Sequence, residues 1–379
     1  MEWTPLARVT VSLQADMTLD ALSELTADLV ILPVVDEKME LSGLTAAMDT
    51  TSTGGALAQV WAESTKALAK RGGTSAVTRV VGDKQTRARF ALMAVGSLTL
   101  ESLTGAGFVL GKAIAKLVAT EKKITSAMVV LPETLAADST IMTDLVTVLY
   151  QSLYVDDRFR SKKKPVAEDL KKITLASEGA VCDATVVVPT AQYVAAGVIM
   201  AKDIVNAPHN VLNSVSLAET AQRIAAASRD GTVTCTILNV EECEKRGMGA
   251  YLGVARGSET PPQFIHLTYK PTGTIHRKVA LVGKGVLFDT GGYNIKTQLM
   301  ELMKFDCGGA AAVLGAARSV SQLCPPGVEV HFIVAVRNRN TTNCSDSLGL
   351  PDGNDWFKSF NVSPRALLIL LVGLREHGQ

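Results

Sequence analysis

The stretch LVGKGVLFDTGGYNIKTQLMELMKFDCGG, Leu281 to Gly309, decides how this chain is read. It sets Lys284, Asp289, Lys296 and Asp306 among glycines, directly after the run VALVG, Val279 to Gly283. That run is short, apolar and bounded by Lys278 and Lys284, the pattern of a buried core strand in an α/β sheet. Open α/β sheets hold their ligands just past the carboxyl ends of such strands. Two carboxylates and two lysines there exceed what solubility requires, because neither type is normally buried unpaired.

Carboxylates brought together repel, and one of them takes a raised pKa unless a cation neutralises the pair. Hard divalent ions accept oxygen ligands, and zinc accepts carboxylates too. A lysine amine ligates only when neutral, and a neighbouring cation lowers its pKa toward that state. Gly283, Gly285, Gly291 and Gly292 would let the backbone turn sharply around ions. Lys296 would then stay charged, free to polarise a carbonyl or hold an oxyanion. Two other readings stand beside this one. A phosphate loop is disfavoured, since GKGVLFDTGG lacks the GxxxxGK[ST] spacing and no GxGxxG opens a helix here. Solvated surface lysines remain the plain alternative for Lys284 and Lys296.

Around this stretch the chain alternates strands and helices. Ala27–Val35, Phe90–Gly96, Ser126–Pro132 and Lys171–Ser177 read as strands. Ser102–Thr120 and Ser139–Tyr154 read as helices. The basic run Arg158–Pro165 reads as a solvated loop, with an anion site second. A long helical pattern from Thr190 to Val205 is stopped by NAPHN and can bridge two domains. Ser216–Ala227 follows as a helix, with Ser216 and Glu219 at capping-box spacing. Thr232–Asn239 is expected as a strand and Val240–Met248 as a helix. Gln263–Pro271 and His276–Lys284 alternate like adjacent strands. Cys307–Val320 is a small-residue helix and Val328–Val336 a core strand. After Val336 periodicity fades, and residues 337–379 are expected to be a tail.

The chain has 379 residues, which favours two domains or three. It is 47% hydrophobic and 20% charged, an ordinary globular composition. Its net charge of +1, from 38 basic and 37 acidic residues, gives no field to recruit nucleic acid or a membrane surface. Six cysteines without a CxxC pair read as reduced thiols of a cytosol-like compartment. The N-terminus has no apolar run of a secretory signal, and Ala366–Leu374 is too short to span a bilayer. The chain therefore reads as cytoplasmic, or as plastid if a transit peptide has been lost.

LVGKGVLFDTGGYNIK followed by MKFDCGGAAAVLGA resembles the signature of the leucyl aminopeptidase family, the two-metal cytosolic aminopeptidases, most closely its plant-type members. VNAPHNVL (Val205–Leu212) and YLGVARGSETPPQFIHLTY (Tyr251–Tyr269) are also similar to family segments. The resemblance is strong over 186–336, weak over 1–185 and absent from 337–379. It implies a smaller N-terminal α/β domain over 1–184, a linker helix, and the first half of an α/β catalytic domain over 185–336. It implies that Lys284 and Asp306 bind one metal ion, that Asp289 bridges two, and that Lys296 is the catalytic lysine. The implied cofactors are two divalent ions, Mn2+ or Zn2+, or else Mg2+. The implied partners are peptides with a free N-terminus and, in a complete chain, five further copies in a homo-hexamer.

The chain also departs from the family. The second family motif, NTDAEGR, which completes the metal shells and supplies an arginine beside the attacking water, has no match; NTTNCSDSLG (Asn340–Gly349) comes too early and lacks the glutamate. The loop between Lys296 and Asp306 is shorter than in plant-type members. The end of the resemblance inside a strand at Ala335 suggests an altered reading frame, a retained intron or alternative splicing, and would leave Val328–Val336 as an exposed apolar edge. The leading expectation is a metal-dependent aminopeptidase; the second is an inactive or truncated relative serving as an assembly or binding protein; a nucleotide-binding protein comes last. His209, His266 and His331 read as core or loop histidines, and Cys307 as a small helix residue. Met300, Leu302 and Met303 read first as core packing and second as a pocket for an apolar side chain.

Overall fold

The computed structural model describes residues 3–23, 27–35, 41, 43–79, 89–162, 166–292 and 294–339. It is an α/β structure of two compact units, divided between Ala195 and Ala196. The boundary expected at 184/185 falls where helix Ala184–Asn206 begins, whereas the units divide inside that helix.

The first unit, Pro5–Ala195, is built on six strands: β1 (Thr10–Gln14), β2 (Leu29–Val35), β3 (Thr78–Arg79), β4 (Arg89–Gly96), β5 (Ser126–Val130) and β6 (Lys172–Ala176). Their order is β1-β6-β5-β2-β4-β3, and only β3 runs antiparallel to its neighbour. β2, and β4 after Arg89, are apolar and almost wholly buried, as strands of a parallel sheet covered on both faces must be. Pro33 is tolerated in β2 because β5 pairs only with Leu29–Ile31, so no ladder partner is lost on that side. Asp28, at the entrance to β2, accepts from Thr125 N at 2.6 Å, Thr125 Oγ1 at 2.8 Å and Ser126 N at 3.1 Å. Arg158 of the basic loop is tied to Asp156 at 2.9 Å; residues 163–165 of that loop lie outside the described residues.

The second unit, from Ala196 onward, takes in Thr4, whose backbone N–H and hydroxyl both donate to buried Asp203. Its sheet comprises β7 (Val233–Leu238), β8 (Gln263–Tyr269), β9 (Arg277–Asp289) and β10 (Val328–Arg339), in the order β7-β8-β10-β9. β8 is antiparallel to β7 and β10, whereas β9 and β10 are parallel, joined through helix Gly308–Leu323. Ile265, Leu267 and Tyr269 of β8 and Val330, Phe332, Val334 and Val336 of β10 form the core with Ala310, Leu314 and Ala317 of that helix.

Several expectations are corrected here. β8 and β9 are not neighbours, because β10 lies between them. β10 is therefore an interior strand, not an exposed edge, and it runs on to Arg339 instead of ending at Val336. The edges of this sheet among the described residues are β7 and β9, and the VALVG run of β9 is half-exposed, with Val282 at 45%. An apolar run alone cannot distinguish an edge strand from a central one. The helix expected from Thr190 starts at Ala184 and carries Pro189 within its second turn. Its 23 residues are long and apolar enough to cross a bilayer by length and composition, but Val187, Ala191 and Ala195 pack in one core and Met200 and Ile204 in the other. The capping box of the next helix, Ser214–Ala226, is Asn213 with Ser216, not Ser216 with Glu219. Asn and Ser cap about equally well, so residue type alone does not place the helix start; here the helix begins at Ser214 and Asn213 takes the cap. The segments 340–349 and 366–374 lie outside the described residues.

Candidate active site

β9 does not stop at Gly283. Gly283 and Gly285 stay in register opposite Val334 and Val336, so Lys284 is a strand residue, not a residue just past a strand end. The strand ends at Asp289, which stands at its carboxyl end. The chain then turns through Gly291, at φ 92°, a conformation that favours glycine. Asp289 Oδ1 accepts from Gly291 N at 2.9 Å, and Thr290 O accepts from Lys296 N at 2.9 Å. These two bonds fold the loop back and set Lys296 Nζ 3.5 Å from Asp289 Oδ2.

Asp306 arrives from the other side. It belongs to the 3-10 helix Met300–Cys307, which leads directly into helix Gly308–Leu323. Gly309 sits so close to β9 that a Cβ on it would lie 2.7 Å from Lys284 N. This backbone approach brings Asp306 Oδ2 to 3.1 Å from Lys284 Nζ. The glycines at 283 and 309 thus serve close packing, and only Gly291 and Gly292 serve a turn.

The structure therefore brings the four residues together in two pairs, Lys284 with Asp306 and Lys296 with Asp289. The carboxylates are the less exposed members, at 22% and 17% of their side-chain surface. Among the described residues, no group of three or more His, Cys, Asp or Glu stands as a metal-binding cluster. The donor chemistry nevertheless suits a divalent ion. Asp289 and Asp306 offer hard oxygens, and each already faces a positive charge. The Lys284 side chain is 57% exposed, so water can take its proton when the amine becomes a ligand.

Cys307 is fully buried in the core, where burial pushes its thiol up to about 11. It is a packing residue that stays protonated at neutral pH. Core packing does not describe Leu302, which is 43% exposed, while Met300 and Met303 are half-buried. Two contacts were not legible in the sequence. Lys304 Nζ donates to Asn206 O at 3.3 Å, and the rings of His209 and Phe288 lie 5.7 Å apart. Both bring the VNAPHN segment alongside Asp289 and Asp306, across a sequence gap that no local pattern bridges.

Fold and site together define an α/β protein with paired lysines and aspartates at one margin of a mixed sheet. Residues 199–345 match the family model described as "Cytosol aminopeptidase family, catalytic domain". Over this region the chain is similar to leucyl, or cytosol, aminopeptidases. It is 39% identical over 318 residues to a probable cytosol aminopeptidase of Rippkaea orientalis, across 82% of this chain and 61% of that one. It is 41% identical over 288 residues to leucine aminopeptidase 1 of Arabidopsis thaliana, across 74% of this chain and 53% of that one. Among solved structures, a tomato leucine aminopeptidase mutant superposes with a TM-score of 0.74 at 31% identity, covering 91% of this chain and 65% of that chain. Coverage of that extent takes in the first unit too, where the sequence resemblance is weak. The family match also extends past 336, to 345. The chain spans 44% to 61% of the length of the first three curated relatives.

Proposed function

We propose that this chain carries part of the active site of a metal-dependent aminopeptidase that releases N-terminal residues, leucine among them, from peptides. Lys284 and Asp306 would hold one divalent ion, and Asp289 would bridge it to a second. Mn2+ or Zn2+ suits this donor set, with Mg2+ as the harder alternative. Bound ions would supply an activated water and a positive clamp for the charge that develops on the scissile carbonyl. Lys296, held at the loop base by Thr290 O, would place its ammonium beside that carbonyl. Asp289 would keep Lys296 oriented through the 3.5 Å contact.

The observation that carries this reading is the convergence of the β9 end and the Met300–Cys307 turn. It sets two carboxylates and two amines at one margin of the sheet. The relatives are named as cytosol and chloroplastic aminopeptidases, which supports peptides as substrates and the cytosol or plastid as location. A hexamer is the assembly that fits the family. The test titrates Mn2+ into the full chain and follows hydrolysis of leucyl p-nitroanilide. Mn2+ binding is expected, tighter for the first ion than for the second, whose remaining ligands lie in the family motif that this chain lacks. Two bound ions without hydrolysis would overturn activity and leave an ion-binding relative. An Asp289→Asn variant with undiminished Mn2+ binding would overturn the site.

A further inference from the structure

Five histidines occur in this chain, and two of them meet at a place the peptidase reading does not use. In the antiparallel pairing of β8 with β10, His331 stands opposite Thr268 and Ile333 opposite His266. His266 and His331 are thus diagonal neighbours on one face of the sheet. His266 Nε2 lies 2.9 Å from His331 Nδ1. Thr268 Oγ1 is 3.3 Å from each of these nitrogens, so three donor atoms converge on one point.

The protonation pattern follows from a fourth residue. Glu329 is buried, and its Oε1 lies 2.9 Å from His331 Nε2. An ionised carboxylate can only accept, so in a neutral His331 ring the proton sits on Nε2 and the Nδ1 lone pair faces His266. Lys278 Nζ lies 4.0 Å from the same oxygen. Burial, followed by the neighbouring His331, lowers the pKa of His266 and favours its neutral ring. The result is a carboxylate–imidazole pair aimed at a second neutral imidazole. Metal-binding histidines are oriented in this way, by a carboxylate on the far ring nitrogen.

We propose that His266 and His331 form a site for a divalent transition-metal ion of the Zn2+ or Cu2+ type, with Thr268 as a weak third donor. At metal–nitrogen distances of about 2.0–2.1 Å, a bond angle near 90° puts two ligand nitrogens about 2.9 Å apart. The neutral His266 ring exchanges its Nε2–H tautomer for the Nδ1–H one, with water carrying the proton between the two nitrogens, so the freed Nε2 lone pair and that of His331 Nδ1 become ligands and no net proton is released. Imidazole nitrogens select Zn2+, Cu2+ or Ni2+ over Mg2+ and Ca2+. The His331 side chain is 26% exposed, which leaves room for water to complete the shell. With two imidazoles instead of three or four ligands, affinity is below that of a closed structural zinc site. The site is separate from Lys284, Asp289 and Asp306. His331 pairs with Ala280 on β9, about 13 Å along the strand from Lys284 at ~3.3 Å per residue. The proposal does not depend on the aminopeptidase reading.

The test uses Cu2+ and Zn2+ with the full chain. Pulsed electron spin resonance of the Cu2+-loaded protein should show remote-nitrogen coupling from two imidazoles. His266→Gln and His331→Gln should each abolish the two-imidazole signal and weaken Zn2+ binding at least tenfold, while His209→Gln leaves both unchanged. Circular dichroism checks that each variant folds. If either histidine variant fails to fold, Glu329→Gln, which removes only the orienting charge, should weaken Zn2+ binding roughly tenfold. Two-imidazole coupling that survives in both histidine variants, or its absence in the wild-type chain, would overturn the site.

Discussion

Gly283 of β9 and Gly309 of helix Gly308–Leu323 lie backbone to backbone, with no room for a Cβ on the strand residue. This contact seats the segment carrying Asp306 against Lys284. A Gly283→Ala chain must push the strand and helix apart, at a cost of about 1–3 kcal/mol. Gly308→Ala is the control, because nothing lies within 4 Å of a Cβ there. It should be neutral, or stabilise by up to about 1 kcal/mol through helix propensity. Urea unfolding midpoints of the two variants check the contrast. Equal midpoints would mean that the close approach does not hold the two elements.

Lys296 and Asp289 form a pair that is partly open to water, with the lysine side chain 36% exposed. Such pairs contribute about 0–1 kcal/mol to stability. Lys296→Ala should therefore leave the urea midpoint nearly unchanged. If Lys296 stabilises charge on the scissile carbonyl, the same change lowers kcat for leucyl p-nitroanilide roughly 100-fold or more, with little effect on KM. A rise in KM with kcat unchanged would place Lys296 in binding instead.

Asp28 sits where burial works against its charge, yet hydrogen bonds from Thr125 and Ser126 hold its carboxyl below the usual range. For a carboxylate depressed in the folded state, the stabilisation is present above the unfolded pKa. It is lost as pH falls through the lower, folded value. Asp28→Asn should cost roughly 1 kcal/mol at pH 7. The difference from the wild-type chain should shrink as pH drops below about 4. Urea titrations at pH 7 and pH 3 measure it, and a constant difference would contradict the assignment.

The cap of helix Ser214–Ala226 separates two residues that the sequence alone confuses. Asn213 Oδ1 accepts from Ser216 N at 2.9 Å, and Ser216 Oγ accepts from Asn213 N at 3.0 Å. Asn213→Ala should destabilise by about 1 kcal/mol. Glu219→Ala, outside the cap, should change stability by less than about 0.5 kcal/mol. Thermal unfolding of both variants decides between the two starts.

The strands β2, β4, β5 and β6 were legible because each is an apolar run bounded by polar or turn residues, and a buried parallel strand needs nothing else. The four charged residues of the site were legible for a different reason: their spacing among glycines resembles a known signature. What could not be read was pairing. His276–Lys284 and Gln263–Pro271 both look like strands, but nothing local says that β10 lies between them. The partner of a strand is chosen by long-range packing. The His266–His331 contact was missed for the same cause, since β10 supplies one of its halves.

Sequence alone determined the element types, the family to which Leu281–Gly309 points, and the residues able to carry the chemistry. These depend on side-chain type and local period, which are properties of a short window. Only the tertiary structure decided that β9 is an edge running on to Asp289, that Lys284 meets Asp306 while Lys296 meets Asp289, and that two histidines far apart in the chain lie with ring nitrogens 2.9 Å apart. Those facts depend on register between strands and on the space that two facing glycines leave, and neither is encoded within any single segment.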